Sequence, residues 1–127
     1  MVKRTKKQFN EFVKWCKYYK DLFQLNEWDF FYIFKKLDNE EYAAETVFGN
    51  DTTATFCYNK EQPGFYINPK ETARHEVIHT LIRKLELLAR QRYITPKEIY
   101  DEAERLTIKL TNIIGGLENA SLYRKKR

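Results

Sequence analysis

The chain contains few of the residues that mark several common classes of protein. Its 127 residues include two cysteines, four glycines and three prolines. Two isolated cysteines cannot build the disulfide framework of a small secreted domain, so Cys16 and Cys57 are expected to be reduced and buried. So few glycines and prolines exclude a low-complexity or fibrous chain. No apolar run approaches the roughly 20 residues that cross a bilayer, which predicts a cytoplasmic protein with no membrane partner.

Large apolar and charged residues are abundant and interspersed. Hydrophobic residues make up 43% of the chain, aromatic residues 16% and charged residues 32%. This mixture can supply a hydrophobic core and argues against disorder. A chain of this length is too short for two domains, so residues 1–127 are assigned to a single domain.

The formal net charge is +5, and much of the excess lies at the two ends of the chain. Basic tails of about residues 1–7 and 122–127 would add weak, salt-sensitive contact with nucleic acid or another acidic partner. The alternative is that both tails are solvated ends without a partner. The interior is close to neutral, which argues against a whole surface built to bind nucleic acid.

A helix followed by a small sheet is predicted for the first half of the chain. Apolar residues recur at helical spacing between about residues 5 and 25. Aromatic and β-branched runs then alternate with turn signals, which predicts short strands. These strands span about residues 28–37, 42–48, 52–58 and 65–68. Because the loops between them are short, antiparallel meander pairing is expected.

Two helices are predicted for the second half. The first begins at Asn68 and runs to about residue 92. The second begins at Thr95, with Glu98 three residues later, and is expected to end at Gly115–Gly116. A helix, a group of strands and two further helices are typical of the α+β class. We therefore predict an α+β domain with a small, mostly antiparallel sheet of three or four strands.

The first of these two helices carries an H-E-x-x-H motif, His75-Glu76-Val77-Ile78-His79. Its histidines are the only two in the chain, and they lie about 40° apart and one turn apart on a helix. Both imidazoles can therefore bind one Zn²⁺. Glu76 lies about 100° from His75, where it can act as general base toward a metal-bound water. The alternative is a pair of surface histidines on an ordinary amphipathic helix.

The segment Thr72-Ala73-Arg74-His75-Glu76-Val77-Ile78-His79-Thr80-Leu81 resembles the extended signature of the zincin metallopeptidases. The order of the predicted elements is similar to that of compact gluzincins of the minigluzincin type, which include small phage and prophage metallopeptidase-like proteins. This resemblance implies a zincin-like fold in which a further helix donates a glutamate to the metal. It also implies a host-cell cytoplasmic location if the chain is encoded by a phage.

A third zinc ligand is needed, since a catalytic Zn²⁺ binds three protein ligands and a water. With no third histidine and no nearby cysteine, a carboxylate of the last helix is expected. The candidates are Glu98, Asp101, Glu102 and Glu104. Helical phase favours Glu102, which borders the apolar stripe of that helix. The resemblance favours Glu104, because the run from Glu104 to Leu110 is similar to the stretch that carries the ligand in the family.

These features predict a zinc-dependent metallopeptidase that hydrolyses a peptide or protein substrate. The resemblance also implies that substrate binds as an added strand along a sheet edge, for which residues 54–58 are the candidate. Two other functions stay open. One is a catalytically silent zinc-binding interaction module, and the other is a nucleic-acid-associated protease delivered by its basic tails.

Overall fold

The computed structural model describes residues 2–50, 52–64, 68–91 and 93–125, and for 121–125 it describes the backbone alone. It confirms the predicted α+β layout of one helix, a small sheet and two helices. The elements, in chain order, are α1 (Lys6–Leu22), β1 (Asp29–Lys35), β2 (Ala44–Phe48), β3 (Thr53–Asn59), α2 (Pro69–Arg90) and α3 (Pro96–Lys125). Most of the predicted fourth strand, over 65–68, lies outside the described residues. Among the described residues, no helix is both long enough and apolar enough to cross a membrane.

Side-chain caps fix where the helices begin. Thr5 accepts a hydrogen bond from the Gln8 amide at 3.2 Å, and the Gln8 side chain accepts one from the Thr5 amide at 2.8 Å. Asn68 caps α2 by accepting from the Glu71 amide at 2.8 Å. These contacts satisfy amide groups that have no partner inside the helix. The predicted beginning of α2 at Asn68 is therefore confirmed.

The sheet is mixed, with strand order β1-β3-β2. Strand β3 lies in the centre and pairs parallel to β1 and antiparallel to β2. The expectation of an antiparallel meander was therefore wrong for β1, which does not pair with β2. The reason lies in the β1–β2 connection, which Asn59 holds beside the sheet. This fully buried side chain accepts from the Leu37 amide at 3.3 Å and donates to the Tyr42 carbonyl at 2.8 Å.

The core lies between the sheet and the helices α1 and α2. Aromatic rings of β3 and α1 meet there, with the Phe12 and Tyr58 ring centroids 4.6 Å apart. Val77 on α2 is fully buried in the same core. Burying a side chain of this kind stabilises the fold by roughly 1.5–3 kcal/mol. Helix α2 is thus fixed with one face against the core, and the histidine motif lies on that helix.

The basic N-terminal segment is part of the folded domain. Arg4 is 6% exposed, its backbone amide donates to the Lys60 carbonyl, and its guanidinium lies 4.4 Å from the centre of the Tyr58 ring. The tail predicted over residues 1–7 therefore includes a buried cation that stabilises the core. The side chains of residues 122–127, the other predicted tail, lie outside the described residues.

Helix α3 continues through Gly115 and Gly116, where the sequence predicted its end. A glycine ends a helix when it adopts a left-handed conformation, and no described glycine has a positive φ angle. Ile113 just before the pair is 6% exposed, so packing extends to this turn. Glycine inside a helix costs only about 1 kcal/mol relative to alanine, which does not break a long helix.

Replacing Gly116 by alanine is expected to stabilise the protein by roughly 0.5–1 kcal/mol, because alanine loses less backbone entropy in a helix. Nothing lies within 4 Å of the added Cβ atom, so no steric cost opposes this gain. Helicity by circular dichroism and the midpoint of urea unfolding check the prediction. A loss of stability would mean that the helix ends at the glycine pair.

Candidate functional site

The two histidines of the motif approach each other on one face of α2. Nε2 of His79 lies 3.2 Å from Nε2 of His75, and the ring centroids are 4.9 Å apart. The His75 side chain is exposed and that of His79 is 43% exposed. Because Val77 of the same motif is buried in the core, α2 cannot turn the imidazoles inward. Both rings therefore lie on the face of α2 that points away from the core.

This spacing fits a shared metal ion. Two imidazole nitrogens at about 2.0–2.1 Å from a tetrahedral Zn²⁺ lie about 3.3–3.4 Å apart. The observed 3.2 Å separation of the two Nε2 atoms is close to that value. The same separation also allows one ring to donate an N–H hydrogen bond to the other. The pair is thus arranged as the predicted metal ligands require.

A groove of about 330 Å³ runs between the histidine face of α2 and strand β2. It is lined by Tyr42, Ala44, Glu45, His75, Glu76 and His79. Strand β2 forms this wall because it is an edge strand of the sheet. The predicted edge over residues 54–58 was wrong, since β3 is hydrogen-bonded on both sides. The polypeptide edge beside the histidines is β2.

Glu76 lies at the bottom of this groove and is only 6% exposed. Its Oε2 atom accepts a hydrogen bond from Thr46 Oγ1 on β2, with a separation of 2.5 Å. The pKa of the nearby Cys16 thiol is raised, first by burial and then by the negative charge of Glu76. The carboxylate is therefore buried and is held by a hydroxyl donor from the edge strand. A fixed, buried carboxylate of this kind suits proton transfer.

The two candidates for the third ligand lie apart from the histidine pair. Glu102 is 4% exposed and forms a two-pronged ion pair with Arg105, with its closest contact at 2.6 Å. Its other neighbour, Lys84, is 4.0 Å away and lies about 180° around α2 from His75. Glu104 is exposed on α3. Among the described residues, no three histidine, cysteine or acidic side chains form a group that could hold a metal.

The sequence did not indicate Thr46 or Glu45 as parts of this site. Both lie on β2, and only the pairing order of the sheet brings that strand to the motif. No protein-family model, curated protein or solved structure matches the chain. Its function is therefore inferred from the side chains of the site themselves.

Replacing Thr46 by valine is expected to lower the free energy of unfolding by about 1–3 kcal/mol. The valine has the same shape but leaves the buried Glu76 carboxylate without the donor it now has. Urea unfolding of the variant checks the prediction. The control is Thr107→Val, because the Thr107 hydroxyl is exposed and donates to a carbonyl of its own helix. Equal effects at both positions would contradict a specific role for Thr46.

Proposed function

We propose that the chain is a zinc-dependent metallopeptidase whose centre lies between α2 and strand β2. The observation that supports this most directly is the pair of Nε2 atoms of His75 and His79, 3.2 Å apart at the edge of a groove. The buried carboxylate of Glu76 and the edge strand β2 border the same groove. The histidine pair, the buried carboxylate and the strand edge together favour a metal-dependent active site over an ordinary surface helix.

His75 and His79 would hold the ion through their Nε2 atoms. When bound, Zn²⁺ supplies a Lewis acid that polarises a peptide carbonyl and lowers the pKa of a bound water toward 7. The third ligand is Glu104 or Glu102. Glu102 must leave its ion pair with Arg105 before it can serve, whereas Glu104 is already exposed but must approach from α3. Either carboxylate would have to move toward the histidines, since no three-residue metal group exists among the described residues.

Glu76 would act as the general base. Its Oε2 is occupied by the Thr46 hydroxyl, so Oε1 is the oxygen left to take a proton from the attacking water. The same carboxyl group would then give that proton to the amine that leaves. Burial keeps bulk water from competing for this exchange. Thr46 thereby fixes the orientation of the carboxylate on which the reaction depends.

The substrate is a peptide in an extended conformation. Among the described residues, strand β2 pairs with β3 alone, so its other edge can add a strand. This edge forms a wall of the groove with the histidines, which brings an added strand close to Glu76. Backbone hydrogen bonds of this kind would bind unfolded segments with little dependence on their sequence.

A catalytically silent zinc-binding module is the second candidate. The absence of a three-residue metal group among the described residues favours it, because two histidines alone bind zinc more weakly than a complete site. A protease delivered to nucleic acid by its tails has less support. Arg4 of the first tail is buried against Tyr58 and does not extend into solvent.

Replacing Glu76 by glutamine should keep zinc bound but lower the hydrolysis of casein at least about 100-fold, because the amide cannot accept the proton. Zinc is measured by atomic emission, and hydrolysis is measured with and without a chelator. The matched control, Glu118→Gln, alters an exposed carboxylate of α3 and should leave both unchanged. Zinc binding without hydrolysis in the wild-type protein would favour the silent module, and equal hydrolysis by Glu76→Gln would contradict the mechanism.

Replacing Glu102 and Glu104 by glutamine, one at a time, distinguishes the two possible ligands. The variant that lacks the true ligand should bind much less zinc than the wild type at equal free zinc concentration, because a neutral amide binds the ion poorly. The other variant should stay within a few-fold of the wild type. Zinc affinity by competition with a coloured chelator checks the prediction. Unchanged affinity in both variants would mean that neither residue binds the ion.

A further inference from the structure

We infer that Glu86, held by Arg83, orients the imidazole of His79 and fixes which of its ring nitrogens carries the proton. This positioning role rests on the proposed function only for its effect on the metal. The orientation itself is a property of the chain without an ion. No feature of the H-E-x-x-H motif includes Glu86, which lies seven residues after its last histidine.

The placement of Glu86 follows from helical geometry. Seven residues make about two turns, so Glu86 lies within about 20° of His79 around α2. Its Oε1 atom is 4.0 Å from Nδ1 of His79, on the side of the ring opposite to the paired Nε2 atoms. Among the described residues, His75 has no carboxylate at a comparable distance. The two histidines therefore lie in different electrostatic surroundings.

Arg83 holds the other oxygen of Glu86 and connects it to the sheet. Nη1 of Arg83 is 3.9 Å from Oε2 of Glu86, which leaves Oε1 directed toward His79. The guanidinium carbon lies 4.4 Å from the centre of the Phe48 ring, the last residue of β2. Phe48 in turn contacts the buried Trp28, with ring centroids 5.8 Å apart. The glutamate is thus positioned from the same edge strand that forms the groove wall.

These contacts together determine the tautomers of the pair. A separation of 4.0 Å is longer than a hydrogen bond, but the Glu86 side chain is 33% exposed and has room to close it by a small rotation. Nδ1 of His79 then carries the proton and donates to Glu86, which leaves its Nε2 as an acceptor. The 3.2 Å contact follows, with His75 donating from Nε2–H to Nε2 of His79. His79 then already has the tautomer that binds a metal through Nε2. A metal must displace the His75 N–H from that lone pair, and His75 must move its own proton to Nδ1 before its Nε2 can bind.

The effect on metal binding has a typical size. Carboxylates that accept from a metal-binding histidine fix the orientation of the ring and raise its basicity, and removing them costs about 10–100-fold in metal affinity. An imidazole without a carboxylate partner can rotate, and it loses this rotational freedom when it binds the metal. Glu86 would therefore contribute to affinity without touching the ion.

Nitrogen-15 NMR of the metal-free protein tests the tautomers directly. At about pH 8.5, well above the ordinary imidazole pKa of about 6.5, His79 is expected to carry its proton on Nδ1 and His75 on Nε2. A His75→Gln variant assigns the two sets of signals, since the chain has only two histidines. In Glu86→Leu, His79 should shift toward the Nε2–H form, and in Arg83→Gln it should shift less in the same direction. The control Glu118→Leu should leave both rings unchanged.

Zinc affinity gives the second measurement, again by competition with a coloured chelator. Glu86→Leu should bind zinc about 10–100-fold more weakly than the wild type, and Glu118→Leu should match it. An unchanged His79 tautomer in Glu86→Leu would overturn the inference, whatever the zinc affinity. If the wild-type protein bound no zinc, the proposed function would fail, and the tautomer of His79 would still decide whether Glu86 positions that ring.

Discussion

The hydrogen bond between Thr46 on strand β2 and Glu76 on α2 is the contact on which the candidate site depends. It joins the edge of the sheet to the helix that carries both histidines. Val77, the next residue of α2, is fully buried in the core, so the rotation of the helix is fixed from two sides. The positions occupied by His75 and His79 are then left facing the groove.

A second constraint is the electrostatic competition for Glu102. A buried carboxylate is costly unless a cation pairs with it, and Arg105 supplies that cation on the next turn of α3. The hydrogen bonds that Arg105 donates to Glu102 raise the pKa of Arg105. This pair compensates the burial of the carboxylate on α3, and it occupies the two oxygens that Glu102 would need as a metal ligand. Under the proposed function, the ion pair with Arg105 and the binding of zinc would therefore place opposing demands on Glu102.

The sequence was sufficient for features that depend on neighbours along the chain. The helix starts at Asn68 and Thr95 and the approach of the two histidines all follow from spacings of a few residues. Helical phase alone brought the Nε2 atoms together, because positions four apart share a face. The α+β class followed from the order of the predicted elements.

The sequence was not sufficient for features set by packing. Short loops favoured a meander, but Asn59 holds the β1–β2 connection so that β3 lies between its neighbours. This strand order places β2 beside the histidines. It therefore also decides that Thr46, on β2, is the residue that donates to Glu76. The role of Glu86 also depends on tertiary contacts, since Arg83 reaches it from the ring of Phe48.

X-ray anomalous scattering at the zinc absorption edge, from crystals grown with zinc, shows whether the two histidines bind one ion. We expect a single strong anomalous peak within bonding distance of Nε2 of both His75 and His79, with a carboxylate oxygen completing the protein ligands. A zinc-loaded crystal with no peak at this position, or with the two rings turned away from each other, would contradict it.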